Sequence, residues 1–205
     1  EKTYGRVPDG FVVETPKYAG GHLGVTKMDQ VDDDEFSLEN VIPPLVEFVS
    51  KEMGSDIPVI AAGGIWDRKD IDWAFSLGAK AVQMGTRFAA TYEGDASDRF
   101  KQAFIDAKEE DVVIIQSPAG LPGRALRSPF IDQYLKGHVE SKPCIANCLT
   151  HCRYKTERET FCIAQALIDA YRGNWEEGLF FCGSNVTRVK RLEHVDDIIK
   201  ELFPA

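Results

Sequence analysis

No run of apolar residues in the 205-residue chain approaches the ~20 that a membrane-spanning helix requires. Basic residues are also in short supply, with 24 Lys and Arg against 33 Asp and Glu and a formal net charge of -9. Nucleic acid and anionic membrane both select for clustered Lys and Arg, so neither is an expected partner. Five cysteines are an odd number in a mid-sized chain, which predicts a reducing, cytoplasmic setting and not a disulfide framework. No internal repeat, low-complexity tract or signal peptide is visible, although residue 1 is Glu1 and not Met.

What is present is a core of ordinary size, 43% hydrophobic, enough for one domain. The most informative stretch is residues 58–88. Val59-Ile60-Ala61-Ala62 is an apolar run too short for a helix that stops at Gly63-Gly64. One helix-like segment later, Ala81-Val82-Gln83-Met84 stops at Gly85-Thr86. Both runs read as buried parallel strands with glycine at their carboxyl ends. Glycine there admits positive φ and brings backbone N–H groups close to an anion, and Thr86 adds a hydroxyl. Two neighbouring βα loops of this kind form a phosphate cradle, usual after strands seven and eight of a (β/α)8 barrel.

These motifs resemble the FMN-phosphate site of the nitronate monooxygenase (2-nitropropane dioxygenase) family and its sister flavin reductases. Upstream, Ala19-Gly20-Gly21-His22-Leu23-Gly24 is similar to the same family's histidine loop. The resemblance covers roughly residues 9–88. It implies an α/β fold belonging to a (β/α)8 TIM barrel, and FMN as cofactor, held by Gly20, Gly21, Ala62, Gly63, Gly64, Gln83, Met84, Gly85 and Thr86. His22 becomes the catalytic acid/base at the flavin; the residue-level alternative is a loop histidine held by a hydrogen bond. The family's Glu-Ala before Gly-Gly-His is replaced here by Tyr18-Ala19.

A complete barrel needs about 250 residues, so the motifs predict strands six to eight, a carboxyl-terminal part. Closing the barrel then requires a missing amino-terminal half, a partner chain or a homodimer. The expected division is 1–116 as barrel and 117–205 as a mouth-covering loop and a mainly helical, cysteine-containing extension.

Within that frame, residues 29–35 carry five acids and read as a solvated loop. A helix follows with Pro43 and Pro44 in its first turn, Leu45, Phe48 and Val49 inward, and Gly54 as its stop. Asp67 is the expected N-cap of the next helix, with Ile71, Ala74 and Phe75 on one face and its start aimed at the phosphate. Arg87 has two readings, a phosphate contact or an ion pair with Glu93 or another acid. Ser97 should open a helix burying Phe100, Ala103, Phe104 and Ala107. The Gly-, Pro- and Arg-rich residues 117–130 border the substrate or merely connect. Residues 179–185 read as a strand and polar turn, whose Ser184 and Asn185 reach the ligand or cap a helix, and Leu192, Val195, Ile199 and Leu202 as an inward stripe.

The cysteines Cys144, Cys148, Cys152, Cys162 and Cys182, with His151, raise an iron-sulfur or zinc site. Positions 144 and 152 lie ~12 Å apart on a straight helix and cannot share one ion there; a broken helix could gather Cys148, Cys152, Cys162 and Cys182, and buried free thiols are the alternative. The expected function is FMN-dependent oxidation of alkyl nitronates by molecular oxygen to a carbonyl compound and nitrite. An NAD(P)H-dependent quinone or enoyl-thioester reductase is the alternative, and a noncatalytic assembly subunit the third.

Overall fold

The computed structural model describes residues 7–53, 57–139, 144, 147, 148, 150, 152–156 and 160–204. Its first half alternates strand and helix. Strand β1 (Phe11–Glu14) is followed by the two-residue β2 (Gly21–His22) and helix α1 (Leu38–Glu52). Then come β3 (Val59–Ala62), α2 (Arg68–Ser76), β4 (Ala81–Gln83) and the single-turn α3 (Thr86–Ala89). Strands β1, β3 and β4 pair in parallel, with β3 central. Parallel neighbours need crossover connections, and α1 and α2 supply them. The fold is therefore α/β.

Ser37 starts α1 by accepting the Asn40 N–H. Pro43 and Pro44 consequently lie inside the helix and not in its first turn. Both are exposed, as are Glu39 and Asn40, whose carbonyls lose their helical N–H donors to the two prolines. The buried stripe is Leu38, Ile42 and Val49, joined by the half-buried Leu45; Phe48, expected inward, is 53% exposed. Gly54 lies outside the described residues. Asp67 caps α2 as expected, in a reciprocal capping box with Asp70. Ile71 and Ala74 are buried there, whereas Phe75 turns out at 38% exposure.

The second half continues with α4 (Asp98–Asp106), β5 (Val112–Gln116), β6 (Pro122–Leu126) and α5 (Pro129–Leu135). Short α6 (Arg153–Thr156), α7 (Ile163–Tyr171) and α8 (Val195–Leu202) complete the elements. Ser97 caps α4 and Phe104 is buried on it, as its pattern predicts. Residues 117–130 hold a strand where a loop was expected: β6 is buried along its length and is the middle member of an antiparallel sheet, β2-β6-β5. The β5–β6 hairpin runs through position 117, so ladder bonds join residues on either side of it. Residues 179–183 form no full strand, only a bridge from Phe181 to Ala125.

Helix α8 returns to the first sheet. Ile198 and Leu202 pack in one core with Leu38, Val59, Ala61 and Ile71, each burial stabilising by roughly 1.5–3 kcal/mol. Ile199, expected inward, is 42% exposed; the stripe is rotated by one residue because Ile198 faces the sheet. A second core, around Ile115, Ala125, Ile131, Phe161 and Leu179, lies against the antiparallel sheet. Among the described residues, no helix is long and apolar enough to cross a membrane.

Candidate functional site

A cavity of about 380 Å³ opens at the carboxyl ends of β1, β3 and β4. Each strand contributes its terminal residues: Glu14 from β1, Gly63 and Gly64 after β3, and Gln83, Met84, Gly85 and Thr86 from β4 onward. Two further segments close it, the loop bearing Tyr18, Gly20 and Gly21, and the segment bearing Phe181, Gly183 and Asn185. The cradle expected from sequence is thus one continuous wall.

Packing explains why glycine stands at these points. Gly63 has φ +89°, and a Cβ there would meet the Thr15 carbonyl oxygen at 2.9 Å. At Gly20 a Cβ would lie 2.6 Å from the backbone of Cys182 and Gly183. The same segments are tied by hydrogen bonds. Asn185 Nδ2 donates to the Gly64 carbonyl (2.7 Å) and the Gly183 N–H to Thr86 Oγ1 (2.8 Å). Because Thr86 Oγ1 accepts there, its own hydroxyl proton is left for a ligand. Gly85, the N-cap of α3, brings no capping side chain to that turn, and a Cβ at Gly85 would meet nothing within 4 Å.

The start of α2 is different. Asp67 accepts the Asp70 N–H, Asp70 accepts those of Trp66 and Asp67, and Arg188 pairs with both carboxylates. The amides of Trp66, Asp67 and Asp70 are thereby taken by these two carboxylates and are not free for the anion expected there. Arg188 holds the Asp67 carboxyl below the usual carboxylate range, chiefly through its hydrogen bond.

Arg87 resolves between its two readings. Its buried guanidinium donates to the Trp66 carbonyl (2.7 Å) and pairs with Glu201 on α8 (2.6 Å), with Glu193 at 3.7 Å. It braces the cradle through acids other than Glu93, which pairs with His194 instead. Arg87 Nε is buried with no hydrogen-bond partner among the described residues.

His22 stands just behind the cavity wall. It is absent from the lining, but its ring meets the lining residue Phe181 edge-on at 5.4 Å, and its Nε2 lies 2.7 Å from Ser117 Oγ. Desolvation lowers its pKa from 6.5, disfavouring the charged ring. Ala62 is fully buried in the core, and its carbonyl accepts the Thr15 N–H at 3.1 Å.

The Nitronate monooxygenase family model matches residues 2–205. The chain belongs to the nitronate monooxygenase family. It is 35% identical over 155 residues to a "Probable nitronate monooxygenase" of Staphylococcus haemolyticus (strain JCSC1435), covering 73% of this chain and 41% of that protein. A relative of the same description from Staphylococcus aureus (strain Newman) is 34% identical over 141 residues, 68% of this chain and 38% of that protein. The chain spans less than half the length of these curated relatives. Among solved structures, FabK from Thermotoga maritima is similar with a TM-score of 0.64 and 27% identity, over 95% of this chain and 53% of that one. Nitroalkane oxidase from Streptomyces ansochromogenes shares the fold, with a TM-score of 0.61 and 23% identity over 95% of this chain and 50% of that one.

Several residues of the candidate site in this nitronate monooxygenase family chain carry no local sequence signal. Arg124, buried on β6, donates to the carbonyls of Pro16, Lys17 and Ala19, so a guanidinium pins the loop that leads into Gly20-Gly21-His22. Desolvation lowers its pKa. Ser117, Phe181 and Gly183 come from the distant second half, as does Asn185, which the polar turn of residues 183–185 had offered as a ligand contact. Glu14 was findable, as a lone acid ending an apolar strand; burial raises its pKa above 4.5. Cys182 lines the cavity as a buried thiol pushed up to about 12 by desolvation. Cys144, Cys152 and Cys162 are half-buried and Cys148 is exposed. Among the described residues, no group of three or more His, Cys, Asp or Glu could hold a metal ion. His151 lies outside the described residues.

Proposed function

We propose that the chain is the carboxyl-terminal part, strands six to eight, of a (β/α)8 flavin oxidoreductase. In this reading β1, β3 and β4 are those strands, and FMN occupies the cavity at their carboxyl ends. The observation that carries this is the pair of glycine loops after β3 and β4, opening into one cavity. The residues fit the group: the walls are Cβ-free where the backbone must come close, and about 380 Å³ lies within the usual ~300–1,000 Å³ of cofactor sites.

When bound, FMN supplies the electron exchange between substrate and molecular oxygen. The backbone of Gly63, Gly64 and Gly85 and the Thr86 hydroxyl bind its phosphate. Gly20, Gly21, Gln83 and Met84 line the remainder, and Tyr18 and Phe181 limit water. His22 handles the substrate proton behind Phe181. The favoured reaction is oxidation of an alkyl nitronate by O₂ to a carbonyl compound and nitrite. Family membership supports it, as does a histidine beside the cavity.

The same cradle and histidine serve NAD(P)H-dependent reduction of a quinone or enoyl thioester, because nothing in the wall selects the electron donor. Completion of the barrel falls to an amino-terminal half, a partner chain or a second copy meeting the outer strands β1 and β4. The decisive experiment is the anaerobic absorption spectrum of the complete protein, before and after NADPH and NADH. A yellow flavin that ignores both nucleotides supports nitronate oxidation. Rapid bleaching makes it a reductase, and a colourless protein that takes up no FMN overturns both in favour of an assembly subunit.

A further inference from the structure

Ser117 sits at the tip of the β5–β6 hairpin in a closed turn. Its N–H donates to the Leu121 carbonyl and its carbonyl accepts the Gly120 N–H, each at 2.9 Å. Its hydroxyl oxygen also accepts the Ala119 N–H at 3.0 Å. The turn therefore fixes where the hydroxyl points. Ser117 is only 3% exposed. Among the described residues, Ser117 Oγ has two hydrogen-bond partners, the Ala119 amide and His22 Nε2.

A hydroxyl has one proton to give. If His22 Nε2 carried the ring proton, Ser117 Oγ would receive two donors and its own proton would be buried without an acceptor, which is costly. Donation from Ser117 to the Nε2 lone pair gives the buried serine proton its acceptor. Strand register holds the pair together, since His22 on β2 lies opposite Gly123 on β6 and the Leu23 N–H donates to Pro122 O at 3.0 Å. Phe181 fixes the ring from its edge. Arg124, opposite Gly21, spends its donors on the carbonyls of Pro16, Lys17 and Ala19. Among the described residues, no carboxylate hydrogen-bonds the His22 ring.

We infer that Ser117 is a positioning residue that holds resting His22 as the Nδ1–H tautomer, so the histidine meets its ligand as a hydrogen-bond donor to an anionic oxygen. The tautomer stands on the hydrogen-bond geometry alone; its meaning for the ligand rests on the role of His22 proposed above. A nitronate, already anionic on oxygen, suits such a donor. A neutral nitroalkane must lose a carbon-bound proton, and the only lone pair that could take it is engaged by Ser117.

The test is long-range ¹H–¹⁵N correlation of the ¹⁵N-histidine-labelled full-length protein with FMN added, at about pH 8, above the ordinary histidine value of ~6.5. H22Q assigns the ring. The expected pattern is a protonated Nδ1 with Nε2 as acceptor, and in S117A a return toward the Nε2–H form that free histidine prefers. Ethylnitronate added without oxygen should shift the Nδ1–H signal downfield. An Nε2–H ring in the wild type overturns the inference even if S117A does not fold. An S117A spectrum identical to wild type does so as well, and a Nδ1–H signal indifferent to ethylnitronate overturns its ligand half. A protein that takes up no FMN defeats the flavin reading instead, while the tautomer is still read from the same spectrum.

Discussion

The Arg87 guanidinium reaches across the site to the Trp66 carbonyl at 2.7 Å. This joins the turn that follows Gly85-Thr86 to the one that follows Gly63-Gly64, and the ion pair with Glu201 ties both to α8. Its cation also stacks over the Trp66 ring at 5.3 Å. A charge one residue beyond the cradle thereby acts on the spacing of the two loops.

R87M should cost about 2–4 kcal/mol, toward the lower end because Glu201 is half exposed and can be solvated. FMN affinity should fall with it, since the two loops lose their common anchor. Thermal unfolding and fluorescence titration with FMN measure both; unchanged stability would mean that the guanidinium is no brace.

G63A places a Cβ at φ +89° and 2.9 Å from the Thr15 carbonyl. Backbone strain of roughly 1–3 kcal/mol is expected, with displacement of the 15–19 loop. The purified variant should bind FMN at least ~10-fold more weakly, about 1.4 kcal/mol. Equilibrium dialysis against FMN is the check.

Burial raises the Glu14 carboxyl above 4.5. The folded state therefore holds its proton more tightly than the unfolded chain, and stability falls as pH rises from about 4.5 through the folded value. E14Q should melt higher than wild type at pH 7–8, and the gap should close below about pH 4. A gap that persists in acid would assign the effect to something other than ionisation.

Replacing His22 by Asn should leave FMN binding within about twofold. Turnover of an alkyl nitronate should fall by up to ~10²–10³, the usual cost of a lost donor to an anionic oxygen, and a neutral nitroalkane should be a poor substrate of wild type and variant alike. Because desolvation lowers the His22 pKa below 6.5, the acid limb of the wild-type profile should lie on the low side of that value and vanish in the variant. Steady-state rates on both substrate forms across pH decide this.

R124M removes the donors to the Pro16, Lys17 and Ala19 carbonyls. Leaving buried carbonyls unpaired costs about 1–3 kcal/mol each at most, offset by release of a desolvated charge. A net loss of about 2–4 kcal/mol is expected, with proteolytic sensitivity appearing at Lys17. Limited trypsin digestion followed by mass spectrometry would reveal that cleavage or its absence.

Local chemistry was legible wherever it acted over a few residues. The glycine pairs, the Asp67 and Ser97 caps and the helical period of α4 are short-range effects, and the structure has them where the sequence predicts them. Residues 122–126 were not legible. Pro, Gly and Arg there read as loop, yet the segment is a buried strand, because Arg124 finds its acceptors on residues 16–19 and Gly123 clears the Phe181 ring at 3.1 Å from a would-be Cβ. Phe48, Phe75 and Ile199 belong to helices whose period was read correctly but whose rotation depends on the neighbour each one packs against.

The sequence by itself determined the α/β alternation, the two Cβ-free loops and the histidine between glycines, since strand length, turn chemistry and capping depend on neighbours in the chain. Only tertiary structure decided that Arg87 braces the loops, that Ser117 meets His22, and that residues 181–185 close the cavity. Those contacts join residues far apart in the chain. Their stability comes from burial and hydrogen-bond satisfaction, which exist only once the two sheets have come together.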